Sequence, residues 1–180
     1  MPRKLKVFSA FKFNLPKKVN KSIIFQWAMA KISAGLLMYK RTNGELKVLI
    51  AHPGGPFWKG KDIDSWDIPK GEVKEGEELF EAAKREFKEE TGIDAKGEFI
   101  DLGDIKRKDG KVVHIWAFEG DWNGLLMVSS YVSLEFPKGS GKIIKFPEMD
   151  KADFFTIEEA RKRLYPSVKM FLERLEEKLG

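Results

Sequence analysis

Between residues 71 and 93 the chain carries glycine, glutamate and arginine at spacings that suit cation-assisted phosphate chemistry. The stretch reads GEVKEGEELFEAAKREFKEETGI, and its informative positions are Gly71, Glu77, Arg85, Glu86, Phe87, Glu89, Glu90, Gly92 and Ile93. Glu86, Glu89 and Glu90 stand at i, i+3 and i+4, where like charges on a helix repel by roughly 0.2–0.5 kcal/mol per pair in solvent, and by more where water is scarce. Something positive should sit between them. Carboxylate oxygens with a loop carbonyl and waters are the donor set that Mg2+ or Mn2+ prefers.

The element that must carry these acids follows from the residues around them. Leu79 to Thr91 lacks glycine and proline, is rich in Glu, Ala, Lys and Leu, and stops at Gly92, which suits the left-handed position just past a helix. At about 100° per residue, Leu79, Ala82 and Ala83 share one side, and Glu86, Glu89 and Glu90 extend it. Glu78, Glu81, Lys84, Arg85 and Lys88 form the outward arc. A solvated, charge-laced helix is the ordinary explanation of such a run. The inward position of the acids, with the spacing of Gly71 and Arg85, argues for a site instead.

The segment resembles the signature box of the Nudix hydrolases, Gly-x5-Glu-x7-Arg-Glu-U-x-Glu-Glu-x-Gly-U, where U is a bulky aliphatic residue. Every polar and glycine position fits. Phe87 is the one departure, large and apolar where Ile, Leu or Val is usual, and it should alter packing detail and not chemistry. A looser resemblance runs from about Met29 to the C-terminus through SAGLLMYK, HPGGPFW, SWDIPKGEV and FPEMDKADFF, which look like a bacterial branch of predicted NTP pyrophosphohydrolases.

The resemblance implies that the Gly71 carbonyl and the carboxylates of Glu86, Glu89 and Glu90 hold Mg2+ or Mn2+. It makes Glu86 a candidate general base, with Glu89 beside it in the catalytic set, and gives Arg85 the task of orienting the glutamates. Glu77 would sit near the helix start, where the backbone dipole favours negative charge. A further carboxylate from outside the box often completes such a site. Glu148, in a loop ahead of the Asp-Phe-Phe strand, matches that placement best, with Glu135 and Glu119 as rivals. The activity implied is in-line attack of a metal-activated water on phosphorus, yielding two phosphate-bearing fragments.

At 180 residues and 42% apolar content the chain suits one domain with a full core. The absence of cysteine excludes disulfide staples, thiolate zinc sites and a cysteine nucleophile, and fits a cytoplasmic setting. No apolar run approaches the roughly 18 residues needed to span a bilayer. The formal net charge of +5 is unevenly spread: residues 1–28 hold seven Lys or Arg and no acid, leaving 26 basic against 28 acidic residues in 29–180. The expected organisation is therefore a basic N-terminal extension over 1–28, dispensable for activity, and a Nudix hydrolase domain over 29–180.

Ile32 to Tyr39 and Lys47 to His52 read as buried strands joined through Thr42-Asn43-Gly44. Ser65 to Ile68 is a short strand delivering Pro69, Lys70 and Gly71 to the box. Phe99 to Lys106 and Val112 to Glu119 form a second hairpin, and Val128 to Phe136 adds a strand. Thr156 with Glu159 forms a capping box, and Pro166 opens a last helix whose Val168, Phe171, Leu172, Leu175 and Leu179 should face the sheet. The pattern implies an α/β/α sandwich, a mixed sheet between the box helix and the C-terminal helices.

His52 and His114, at or in strands, read as structural histidines. No serine sits in a Gly-x-Ser-x-Gly turn, so serine hydrolysis is not indicated. Gly139-Ser-Gly-Lys142 lacks the leading glycine and the Ser/Thr of a P-loop and reads as a flexible loop. Gly54, Gly55 and Pro56 with Phe57, Trp58, Lys59 and Lys61 make a loop where a base could stack and phosphates be met, and Lys70 adjoins Gly71 closely enough to reach the same phosphates. Trp58, Lys59 and Lys70 are thus the substrate-binding candidates. The Pro69-Lys70-Gly71 sequence is also similar to that of hydrolases of dinucleoside polyphosphates and diphosphoinositol phosphates.

The expected function is a divalent-metal-dependent hydrolase cleaving the pyrophosphate bond of a nucleoside diphosphate linked to another moiety: a dinucleoside polyphosphate, an NTP or a sugar nucleotide. Its partner is a small nucleotide and not nucleic acid or a membrane, and a homodimer is compatible with the sequence. Two alternatives differ in class. A non-catalytic Nudix-like nucleotide sensor would commonly lose a box glutamate, and this chain retains them all. An RNA-directed hydrolase would use the basic N-terminal arm and bind with steep salt dependence.

Overall fold

The computed structural model describes residues 31–124 and 129–180; the basic segment 1–28 and Val128 lie outside them. Strand β1 (Ile32–Thr42) is the hub. Its side chains alternate between two buried faces, Ala34, Leu36 and Met38 on one and Leu37 and Tyr39 on the other, so it reads as one apolar run. Beyond the turn at Asn43-Gly44, β2 (Glu45–Pro53) returns antiparallel, with Tyr39 opposite Val48. The other end of the same edge pairs with β3 (Lys70–Glu72), setting Ala34 opposite Gly71 and Gly35 opposite Lys70.

On its second edge β1 runs parallel to β5 (Val112–Glu119), which is hairpinned to β4 (Phe99–Lys106). Strand β8 (Met149–Thr156) lies beside β2 and completes the order β4-β5-β1-β2-β8. Strands β6 (Tyr131–Glu135) and β7 (Ile143–Pro147) form a separate two-stranded ribbon.

Helix α1 (Leu79–Thr91) covers one face of the sheet, burying Ala82, Ala83 and Phe87 against Ala34, Leu36, Met38, Leu49 and Phe118. It ends as its sequence dictates: Gly92 is left-handed at φ 74°, and its N–H donates to the Lys88 carbonyl. On the opposite face lie α2 (Ile157–Arg163) and α3 (Met170–Leu179), the first started by a reciprocal capping box between Thr156 and Glu159. Phe171, Leu172 and Leu175 pack there on Leu37, Val48, Ile50, Ile68 and Ile115. The chain is the expected α/β sandwich with a mixed central sheet.

Three details differ from the sequence reading. Ser65 to Ile68 makes only single bridges, Ala51 to Asp67 and Trp66 to Leu164, because Asp67 turns its own carboxylate onto the Ile68 N–H; the strand at the box begins at Lys70. The strand expected over 128–136 is confined, among the described residues, to Tyr131–Glu135, and it joins the ribbon, whose second strand β7 follows the Gly139–Lys142 turn read as a loop. Pro166 opens a 3-10 turn, Pro166–Val168, before α3 begins at Met170. Among the described residues no helix is long and apolar enough to cross a membrane.

Phe87 is fully buried and meets the Phe118 ring edge-on at 5.3 Å. Truncation to alanine should remove about 3–5 kcal/mol of stability in urea denaturation, with Phe87→Leu costing less. A loss below about 1 kcal/mol for the alanine variant would show that this face of the helix is not core.

Candidate active site

The site forms where β1 parts company with its neighbours along one edge, passing from β3 to β2. Gly35 permits the crossing, since a Cβ there would lie 2.3 Å from the Pro69 carbonyl oxygen. Gly71 permits the next layer: its missing Cβ would fall 2.1 Å from the Glu86 carboxylate. Helix α1 therefore lays Glu86 directly on the β3 backbone, and two residues of no size set the approach.

Arg85 organises the acids. Its Nε and Nη2 donate to the two oxygens of Glu77 at 2.6 and 2.9 Å, a forked ion pair. Nη1 donates to Glu86 at 2.5 Å and to Glu89 at 3.2 Å, and Nη2 also reaches the Glu72 carbonyl at 3.2 Å. The guanidinium is thus folded across the helix start instead of pointing outward, as helical spacing alone suggested. Glu77 also accepts from the Lys74 N–H, and the Arg85 hydrogen bonds hold its carboxyl down at about 2.

Glu86 and Glu90 are in the opposite situation. Burial pushes the Glu86 carboxyl up, against the pull of Arg85, and the charges of Glu89 and Glu148 push it further. Glu90 is 2% exposed, accepts one hydrogen bond, from the Lys70 N–H at 3.0 Å, and is driven well above the usual carboxylate range by burial. The positive charge of Lys70 opposes that rise, and Glu148 and Asp67 add to it. Glu148 is bound through one oxygen to the Ser130 hydroxyl at 2.5 Å, while its backbone carbonyl accepts from the Gly54 N–H.

Gly71, Arg85, Glu86, Glu90 and Glu148 are therefore gathered at one place. Glu89 stands at its margin, half exposed and drawn to Arg85. Among the described residues no group of three or more acidic or histidine side chains is close enough to hold a metal ion as it stands. Arg85 collects Glu86 and Glu89, and Glu90 accepts from the Lys70 N–H of β3. The donors nonetheless suit a hard divalent cation, being carboxylates short of both water and positive charge beside an accessible main-chain strand.

Of the substrate candidates, Lys70 stays beside Glu90, whereas Trp58 and Lys59 are drawn into no contact with the acids among the described residues. Lys70 Nζ is tied to Asp67 at 2.5 Å, and both side chains are largely buried. Trp58 meets the edge of Tyr165, on the side of the C-terminal helices, and Lys59 is exposed. Of the rival carboxylates, Glu135 accepts from the Gly141 N–H in the ribbon turn, and Glu119 ends β5, where its charge acts on Tyr39. His52 and His114 pair with Asp150 and Asp101 at 2.7 and 2.8 Å. Gly35, Asp67 and Ser130 escaped the sequence reading. Only Gly35 left a signal there, a glycine inside a strand pattern, which marks a close backbone approach.

The profile of the NUDIX domain matches residues 29–175, and the chain belongs to that family. Nudix hydrolase 5 of Arabidopsis thaliana is 39% identical over 75 residues, which are 42% of this chain and 22% of that protein. The asymmetrical bis(5'-nucleosyl)-tetraphosphatase of Rattus norvegicus is 33% identical over 105 residues, 51% of this chain and 66% of that protein. The chain thus spans less than two thirds of the length of these curated relatives. A crystal structure of an Ap4A hydrolase from C. elegans shares the fold at a TM-score of 0.57 and 22% identity, over 83% of this chain and 98% of that one.

The two kinds of carboxylate predict opposite pH behaviour. Above 4.5 the unfolded chain has lost the proton that buried Glu90 still holds, so its contribution to stability falls as pH rises toward the folded value. In metal-free buffer Glu90→Gln should therefore be more stable than the parent at neutral pH, the gap closing below 4.5. Glu77, held down at about 2, contributes stability above 4.5 that fades as pH falls toward 2. Glu77→Gln should be destabilised at neutral pH and match the parent in acid. Urea titrations across the range decide both, and a Glu90→Gln variant less stable than the parent at neutral pH would contradict the first.

Proposed function

We propose that this chain is a Mg2+- or Mn2+-dependent pyrophosphohydrolase acting on a nucleoside diphosphate linked to another moiety, with dinucleoside polyphosphates, NTPs and sugar nucleotides as the range. The observation that carries the reading is the pair of carboxylates packed beside a glycine-lined strand, Glu90 buried and Glu86 partly so, each with its proton affinity raised by burial and by the charge of Glu148. Membership of the Nudix family and the likeness to a dinucleoside tetraphosphatase support it. Retention of every box glutamate favours an enzyme over a sensor.

In this reading Glu86, Glu89, Glu90, Glu148 and the Gly71 carbonyl would hold the cations. A metal held there would supply neutralisation of phosphate oxygens and a water of lowered pKa. Arg85 is a positioning residue, setting Glu86 against Gly71 while its charge is anchored by Glu77. Glu86, with Oε1 engaged by Arg85 Nη1, would take the proton of the attacking water as the candidate general base. Burial raises the basicity of that carboxylate toward the working pH, as a general base requires. Lys70 would exchange Asp67 for a phosphate oxygen of the substrate. We read residues 29–180 as the catalytic domain of a cytoplasmic enzyme, in keeping with the start of the family match at residue 29.

A magnesium-supplemented panel of dinucleoside polyphosphates, sugar nucleotides and NTPs, with products identified, tests this. Cleavage of a phosphoanhydride bond is expected, with Glu89→Gln and Glu90→Gln slower by more than about a hundredfold and a chain starting at Met29 as fast as the parent. Near-parent turnover by both glutamine variants would overturn the assignment.

A further inference from the structure

The ribbon of β6 and β7 takes no part in the main sheet, yet it is fastened to the site at one end. Ser130, just ahead of β6, bonds the Glu148 carboxylate, and Glu148 bonds the Gly54 N–H through its main chain. Beyond Gly54 the chain runs to Phe57, which is 55% exposed and meets the edge of Phe136, at the far end of the ribbon, at 5.5 Å. Gly55 lies so close to the Phe146 ring that a Cβ there would come within 2.5 Å, so the loop and the ribbon are in contact along their length. Between them is a half-open groove of about 450 Å3, lined by Phe57, Leu134, Glu135, Phe136, Pro137 and Lys138.

We propose that this groove is the subsite for the nucleobase of the substrate. It rests on the hydrolase reading above and names where the nucleoside is held. Three observations support a base as the occupant. The walls are mostly aromatic and aliphatic, with Glu135 and Lys138 among them, the Phe57 ring is exposed although it meets Phe136, and base–aromatic stacking is tolerant of which base is offered. The volume is in the range of small-molecule sites. Position agrees as well: Phe57 is three residues from Gly54, at most about 11 Å along the chain, and Gly54 is bonded to the same Glu148 that acts on Glu86 and Glu90. Phosphates at the box would thus hand a nucleoside toward the ribbon. Trp58 cannot serve in this way while it packs on Tyr165, so Phe57 is the aromatic of this loop that meets substrate.

The test uses equilibrium binding of ADP and of inorganic pyrophosphate to the full chain with Ca2+ present, a readout independent of turnover. The parent is expected to prefer ADP at least tenfold, Phe57→Ala to reduce that preference to less than about twofold, and Phe57→Tyr to restore it. Phe57 is exposed enough that its truncation leaves the core intact, which circular dichroism verifies. Met170→Ala, at an exposed position on α3 away from the groove, should keep the parent preference. No ADP preference in the parent, undetectable ADP binding at millimolar concentration, or a preference that survives Phe57→Ala would overturn the proposal. These failures are distinct from failure of the hydrolase reading, which shows as absence of turnover in the substrate panel.

Discussion

Arg85 is one cation set against several carboxylates, and the arithmetic of that contact governs the site. Its fork satisfies Glu77 fully and Glu86 in part, and it touches Glu89 only at its edge. Glu90 and Glu148 receive nothing from it. Burial raises the proton affinity of Glu86 and Glu90, and the charge of Glu148 adds to the rise on both. Desolvated charge without a partner is among the most costly features a fold can carry. A protein retains it where binding supplies the missing charge.

The backbone is what makes the excess possible. Because β1 exchanges one antiparallel neighbour for another along a single edge, the sheet opens over Gly35, and the chain from Pro69 to Gly71 can lie close beneath the helix. Glu86 is held there by contact with a residue that has no side chain, and Glu90 by one main-chain N–H. The apolar face of the same helix, centred on Ala82, Ala83 and Phe87, fixes its height and rotation. Packing on one side of α1 and charge on its flank are thus set by the same few turns.

Much of this was legible in the sequence because it is local. The Gly92 stop, the Thr156-Glu159 cap, the hairpin turns and the alternation in β1 each follow from residues within a few positions of one another. What could not be read depends on contacts between distant segments. Lys70 is captured by Asp67, Trp58 turns to Tyr165 across the sheet, and β7 finds β6 after a glycine-rich turn that carries no strand signal of its own. Helical periodicity alone puts Arg85 on the outward arc while the family resemblance has it orient the glutamates; periodicity places a Cα, but a long side chain can fold back to whatever charge lies within reach.

The central claim is that the buried acids await a divalent cation, and Mn2+ reports on it directly through its paramagnetic resonance. Titrating Mn2+ into the metal-free chain should show free-ion signal suppressed until a saturable site is filled, with the suppression lost in Glu90→Gln. A free-ion signal rising in proportion to added Mn2+ from the first addition, for the parent as for the variant, would contradict it.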